Sequence, residues 1–325
     1  MKKRILSGMR PTGKLHLGNY VGALENWVNL QGEFENFHLV ADWHTLTTNL
    51  DTSQLKQNTI EMVIDWLAAG IDPDKSPIFI QSKIKEHAEL YLIFSMLVTI
   101  PRLERNPTVK EQARDLGVEN NMIFGHLGYP ILQAADILLY KAHLVPVGED
   151  QLPHVEVTRE VARKFNKTYG DVLRVPQGKV TDFARLPGLD GNKMSKSLGN
   201  TILLSDPPEE INKKVMRAVT DPQKIRRGDP GRPEVCNIFT YYKKFCPQRV
   251  KEVEAGCKSG KLGCVEDKRN FAACLANYLE PFREKRVELE KNMDHIKDII
   301  AQGNKVASEV AGQTMSEVYT AMNLD

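Results

Sequence analysis

The sequence predicts an α/β protein: a Rossmann-like, doubly wound parallel-sheet domain followed by a second, all-helical domain. Three observations point there. Short apolar runs alternate with helical spacings up to residue 205, the texture then turns to helices alone, and 325 residues exceed what one core usually holds. The expected division is 1–205 and 206–325, the second part ending in a long helix.

"RILSGM" (4–9) is the first apolar run, breaking into "RPTGKLHLGN" before "YVGALENWVNLQ" takes up helical spacing. "FHLVADWHTLTT" (37–48) is the second run, and "NTIEMVIDWLAAG" (58–70) a helix closed by Gly70. "SPIFIQS" (76–82) is the third, followed by a helix around 87–99. "KAHLVPVGEDQ" (141–151) is the fourth, set between helices over 130–140 and 152–166. Strands separated by helices need crossover connections, which makes the sheet parallel and covered on both faces. Beyond residue 205, "DPPEEINKK" opens a helix with Glu209 and Glu210 in its first turn, a Pro/Gly-rich basic loop follows, and 267–291 and 294–322 are helical.

Charged residues make up 26% of the chain and the net charge is +2, so any surface for a polyanion must be local. The basic start has too short an apolar stretch after it for a signal peptide. The run 88–100 contains Glu89 and is too short to span a bilayer. A cytoplasmic location is the expectation. Five cysteines, an odd number, argue against a disulfide framework.

Two loops carry the chemistry. In "SGMRPTGKLHLGNYVGAL" (7–24), a glycine-bearing turn leads to His16-Leu17-Gly18-Asn19 opening a helix, whose unpaired N–H groups suit phosphate oxygens. Gly18 and Gly22, four apart, leave one face bare for a flat ring, and His16 and Asn19 can bond phosphates from its edge. Read alone, His-Leu-Gly-Asn is equally a helix cap. In "DGNKMSKSLGN" (190–200), Lys193 and Lys196 each stand near a serine in a polar loop, which by itself is a solvated turn. Together, "HLGN" (16–19) and "KMSKS" (193–197) resemble the two signature motifs of class I aminoacyl-tRNA synthetases. That resemblance implies attack of an amino-acid carboxylate on the α-phosphate of ATP. Mobile cations that close over the departing pyrophosphate then stabilise the transition state, with Mg²⁺ sharing the charge. It implies Lys193, Lys196 and His16 as catalytic residues. Gly18, Asn19, Met194, Ser195 and Ser197 join the lysines at ATP.

"LGYPILQAADILLY" (127–140) sets Pro130 at a helix start and places Tyr129, Gln133, Asp136 and Tyr140 on one stripe. A carboxylate in so apolar a helix needs a donor: a neighbouring element, or a substrate's indole N–H or phenol O–H. "VGEDQ" (147–151) follows a strand, where such sheets bind ligands; Gly148 permits close approach, and Glu149 or Asp150 can accept from a ribose or cap the next helix.

"GMRPTGKLHLGNYVGALENW", "ADWHTLTT", "QAADILLY", "VPVGEDQLPHVEVTREVARKFN" and "MSKSLGN" look like the tryptophanyl-tRNA synthetase family, over essentially the whole chain. The resemblance implies that Asp136 reads the indole N–H, that Val145 and Val147 wall the ring, and that Arg10, Pro11, Thr12 and Leu186 line the ATP site. It implies L-tryptophan and tRNA(Trp) as partners, a homodimer, and a helical domain that binds tRNA. Tyr129, Gln133 and Asp136 also resemble the tyrosine-binding triad of the sister tyrosyl family, which "VGEDQLPH" and "RRGDPG" disfavour. His44 is a pocket neighbour or a core histidine. A regulator that binds tRNA or tryptophan without charging it is the alternative from another class, and the intact motifs argue against it.

Some members of the family hold an iron–sulfur cluster on cysteines ending C-x6-C-x2-C. Here Cys236, Cys257 and Cys264 match, and Asp267 stands at the fourth position, so a [4Fe–4S] cluster, Zn²⁺ or an empty thiol set all remain open. Cys246 and Cys274 have no matching position and read as free thiols. Arg226, Arg227 and Arg232 in "KIRRGDPGR" are candidates for tRNA phosphates, or a solvated charge run.

Overall fold

A computed structural model describes residues 2–180 and 186–325, the side chain of Asp150 excepted. Five strands form one sheet in the order β3-β2-β1-β4-β5: β1 Arg4–Met9, β2 Glu35–Val40, β3 Ile78–Ile80, β4 Leu144–Val147 and β5 Gln177–Val180. Every pairing is parallel, with Arg4 opposite Glu35, His38 opposite Ile78, Ile5 opposite Leu144 and Leu144 opposite Gln177. The Rossmann-like doubly wound sheet expected from the sequence is the sheet observed. The winding reverses between β1 and β4, so the crevice beyond their carboxyl ends is where this topology takes ligands.

Three elements differ from expectation. The second apolar run is a strand only to Val40 and then becomes the short helix Asp42–Leu46, because Asp42 sits in its first turn. The polar stretch Gln177–Val180 is a fifth strand, exposed along its length, with too little apolar content to stand out in sequence. Pro130 lies inside the helix Phe124–Leu139, not at its start. A proline there forfeits a single backbone bond, a loss that burial of the apolar helix outweighs.

Contacts divide the chain into two units: Met1–Gly13, Asn26–Asp182 and Asn292–Asp325, and then Lys14–Glu25 with Phe183–Lys291. This differs from a cut at residue 205 for a backbone reason. Leu17 N donates to the Ile202 carbonyl (2.9 Å) and Leu204 N to the Leu15 carbonyl (2.9 Å), which ties the first motif to the segment after the second.

The first unit packs its sheet against helices through Leu6, Phe37, Phe79, Tyr140 and Phe165, with the Phe37 and Tyr140 rings stacked at 5.2 Å. The last helix, Met293–Met322, belongs to this unit and covers the β3 edge. Asn304 Oδ1 accepts from Ile80 N (2.8 Å), and a Cβ on Gly303 would run into the Ile78 carbonyl. An edge strand's open N–H is thereby satisfied within the chain.

The second unit is helical: Pro208–Met216, Asn237–Phe245, Val250–Lys258 and Cys264–Glu290. Tyr241 and Tyr242 flank Phe271 at 5.7 and 5.0 Å. Cys246 and Cys274 are joined by a disulfide, which corrects the expectation of free thiols. Their pairing required the fold, since 28 residues separate them and no spacing rule links them.

Candidate functional site

In the first unit the site forms around Asp136, which is 3% exposed on the helix Phe124–Leu139. Its Oδ1 accepts from Gln81 Nε2 (2.7 Å) and His87 Nδ1 (2.6 Å), and its Oδ2 from His44 Nε2 (2.8 Å). Burial pushes this carboxyl up, but the hydrogen bonds from His44 and His87 outweigh it and hold the acid at about 2. A buried, ionised carboxylate with donors on both oxygens is a fixed acceptor. None of these donors comes from its own helix, so the stripe visible in sequence does not describe its partners. Gln81 and His87 were missed in sequence; "QSKIKEH" after the third strand is the only trace they left.

The rest of the stripe divides. Tyr129 OH pairs with His154 Nε2 (2.9 Å), and Tyr140 OH with His87 Nε2 (2.9 Å). Gln133 is half-buried on the same helix. Val145 is in the core and Val147 packs against it at the end of β4. Gly148 caps a short turn Glu149–Gln151 that leads into the helix Leu152–Tyr169. The ribose candidate Asp150 lies outside the described side chains. Arg10, one residue past β1, donates to Thr48 Oγ1 (3.0 Å), Pro11 is buried and Thr12 exposed.

In the second unit His16 closes a capping box. Its Nδ1 accepts from Asn19 N (3.3 Å), and Asn19 Oδ1 accepts from His16 N (3.2 Å). The cap reading and the phosphate reading therefore draw on the same two side chains. Burial, then the charge of Lys196, lowers the His16 ring to about 4, so it is neutral at physiological pH. A Cβ on Gly18 would meet the His16 ring at 3.0 Å and Met194 Sδ at 3.3 Å, while Gly22 faces open space. Only the second of these glycines presents a bare face.

The lysine loop is more ordered than its composition implied. Asn200 Oδ1 accepts from Ser195 N (2.8 Å), and its Nδ2 donates to Asp190 Oδ1 (2.8 Å) and the Lys193 carbonyl (3.0 Å). Met194 is buried with Gly18 N donating to its sulfur (3.2 Å), and Gly199 takes a left-handed conformation (φ 64°) to end the turn Lys196–Leu198. Lys193 is left exposed and Lys196 half-buried, while Ser195 and Ser197 share a hydroxyl bond of 2.9 Å. Leu186 is buried. Two lysines are thus presented from a tied frame.

Residues 1–280 match the model of the class I tRNA synthetases (W and Y). The chain belongs to the class I tRNA synthetases. It is 50% identical to the tryptophan–tRNA ligase of Thermotoga maritima, covering 99% of each chain. It is 45% identical to that of Aquifex aeolicus, covering 99% of this chain and 100% of the relative. The solved structure of tryptophanyl-tRNA synthetase from Campylobacter jejuni, complexed with ADP and tryptophan, matches with a TM-score of 0.88 at 35% identity, over 99% of this chain and 100% of that one.

In this synthetase Cys236, Cys257, Cys264 and Asp267 line one pocket of the second unit, together with Thr220, Asp221, Lys224 and Leu262. Asp267 Oδ1 is buried there without a hydrogen-bond partner. Even so, no group of three or more His, Cys, Asp or Glu is arranged to hold a metal ion among the described residues. The fourth donor is a carboxylate, a poorer match for cluster iron than thiolate, and Lys224 adds a cation to the same pocket. The set as placed does not fit an iron–sulfur cluster. Among the basic candidates, Arg232 gives both Nε and Nη2 to Asp221 (3.2 and 2.7 Å), whereas Arg226 and Arg227 are exposed. No helix of the described residues is long and apolar enough to cross a membrane.

Proposed function

We propose that the synthetase activates L-tryptophan with ATP and transfers it to tRNA(Trp), with Asp136 as the residue that reads the side chain. A carboxylate has about four acceptor sites. Gln81 and His87 occupy Oδ1 and His44 takes one site on Oδ2, leaving one site for a substrate donor. An indole offers one N–H and no acceptor, so it fills that vacancy and asks for nothing more. A phenol O–H could fill the same site: Asn106 Nδ2 donates to His154 Nδ1, so His154 Nε2 donates to the Tyr129 oxygen and Tyr129 keeps its own proton to give. The open acceptor site supports Asp136 as the reading residue, and the full-length similarity to tryptophan–tRNA ligases carries the choice of tryptophan over tyrosine.

In the first step a carboxylate oxygen of tryptophan attacks the α-phosphorus of ATP and the bond to the pyrophosphate oxygen breaks. Lys193 and Lys196 are assigned to the charge that builds on the leaving group, with Ser195, Ser197 and backbone near Met194 on phosphate oxygens. His16, Gly18 and Asn19 take the nucleotide at the other motif. Mg²⁺ is assigned to the triphosphate and not to a protein cage. A ribose hydroxyl of the tRNA terminal adenosine then attacks the carboxyl carbon, and AMP leaves. That donor is already activated, so the second step needs no protein nucleophile.

Arg226 and Arg227 are assigned to tRNA phosphates. A homodimer is supported by apolar side chains left in water on the first unit: Leu92 (57%), Met96 (73%), Ile100 (58%) and Phe124 (69%). The deciding experiment is ATP–pyrophosphate exchange with each amino acid. Tryptophan alone should support it, and equal exchange with tyrosine overturns the assignment.

A further inference from the structure

We propose that His87 is a positioning residue of the tryptophan site: anchored from behind by the Tyr140 hydroxyl, it turns the Asp136 carboxylate so that one Oδ2 site stays open for the indole N–H. The inference rests on the assignment of Asp136 above and adds residues which that assignment did not need. His87 and Tyr140 are both 0% exposed, and Phe79 lies against the imidazole at 6.2 Å with its plane 28° off.

For the neutral imidazole the hydrogen inventory leaves one arrangement. The Asp136 carboxylate can only accept, so His87 Nδ1 carries the proton in their 2.6 Å bond. A ring protonated there leaves Nε2 as an acceptor, and the Tyr140 O–H, 2.9 Å away, donates to it. Burial, with the charges of Asp136 and Glu86, keeps that hydroxyl from ionising. The bonds run Tyr140 to His87 to Asp136 Oδ1, each fixing the next. With Oδ1 held by His87 and Gln81, the carboxylate plane cannot rotate to spend Oδ2 elsewhere.

The test compares His87→Leu, His87→Asn and Tyr140→Phe in tryptophan-dependent pyrophosphate exchange. Losing a hydrogen bond to a buried charge should raise the tryptophan KM of His87→Leu ~10- to 100-fold, with the ATP KM unchanged within about twofold. The amide nitrogen of His87→Asn stands where Nδ1 stood and should restore most of that loss. Tyr140→Phe should fall between. The titratable groups facing Asp136 are His44, His87 and Tyr140, with Glu86 acting on Tyr140. Removing one donor lets Asp136 protonate at higher pH, so kcat/KM for tryptophan should fall toward acid in His87→Leu and not in the unmutated enzyme. Nitrogen-15 spectra of the unmutated protein should show His87 protonated at Nδ1 and bare at Nε2, a readout that does not depend on the variants folding. An Nε2-protonated ring, an unchanged tryptophan KM in His87→Leu, or equal loss toward ATP overturns the inference. Should Asp136→Asn raise the tryptophan KM while His87→Leu does not, this inference fails alone; should neither raise it, the assignment of Asp136 fails with it.

Discussion

The surroundings of Asp136 and of Lys193 solve opposite electrostatic problems. Asp136 is a single charge taken out of water, and donors from two other helices and a short 3-10 turn offset that cost. Lys193 stands in solvent on a loop that Asn200 ties from within. A recognition site profits from rigidity, because a fixed acceptor distinguishes one ring from another before any bond changes. A site that meets charge arising only during reaction needs cations that can close on it. The contrast predicts binding defects at the first and rate defects at the second.

The largest effect is expected at the lysines. Lys193→Ala or Lys196→Ala should lower kcat for pyrophosphate exchange by about 10²- to 10³-fold, the range for losing one transition-state donor, with little change in tryptophan affinity. Equal losses in binding and rate would erase the contrast. Next comes Asp136→Asn, which keeps the shape and removes the charge. Tryptophan KM should rise by the equivalent of ~1–3 kcal/mol while ATP binding persists, measured by titration calorimetry with each ligand.

Asn200→Ala sharpens the comparison by attacking the frame and leaving both lysines in place. Three hydrogen bonds end on this side chain, so kcat should drop about tenfold, and limited proteolysis should cut the loop sooner, if order of the frame matters. Cleavage at the native rate would show the turn to be held otherwise.

Acid offers a fourth test. His38 is buried against Trp27 at 4.8 Å, and burial lowers its ring to about 3. Its folded value lies below the unfolded value near ~6.5, so the unfolded chain binds the proton first. The contribution is present above that unfolded value and is lost as pH falls toward about 3. Asp136, held at about 2 against an ordinary 3.8, keeps its contribution above that ordinary value and loses it as pH falls toward about 2, a window that overlaps the acid end of the His38 window. Urea midpoints should therefore decline from pH 7 to 4, less steeply in His38→Phe, while tryptophan affinity holds over the same range.

The smallest effect concerns the cysteine pocket. Exchange activity should be indifferent to Asp267→Cys. The unmutated protein purified without oxygen should be colourless, and completing the thiolate set should be what permits bound iron, read by absorbance and iron content. Brown unmutated protein carrying iron would mean that the four side chains rearrange around a cluster.

Much of this was legible in sequence because it is local. The alternation of apolar runs and helical spacings predicts a parallel sheet, since the first four strands announce themselves as apolar runs in their own residues; the exposed fifth does not. "HLGN" and "KMSKS" carry the family resemblance because each is a run of adjacent residues. Asp136 stood out as a charge in an apolar helix. The partners of Asp136 were not legible: His44, Gln81 and His87 reach it across separations of 92, 55 and 49 residues. The same holds for the disulfide, for the Arg232–Asp221 pair, and for the pairing of Leu15 and Leu17 with Ile202 and Leu204 that gathers the two motifs into one unit. Sequence by itself determined the family, through its two motifs, and most of the segments that are strand or helix, because those depend on neighbours within a turn or two. Tertiary structure alone decided which side chains satisfy a buried charge, because hydrogen bonds act over about 3 Å and packing brings together residues from anywhere along the chain.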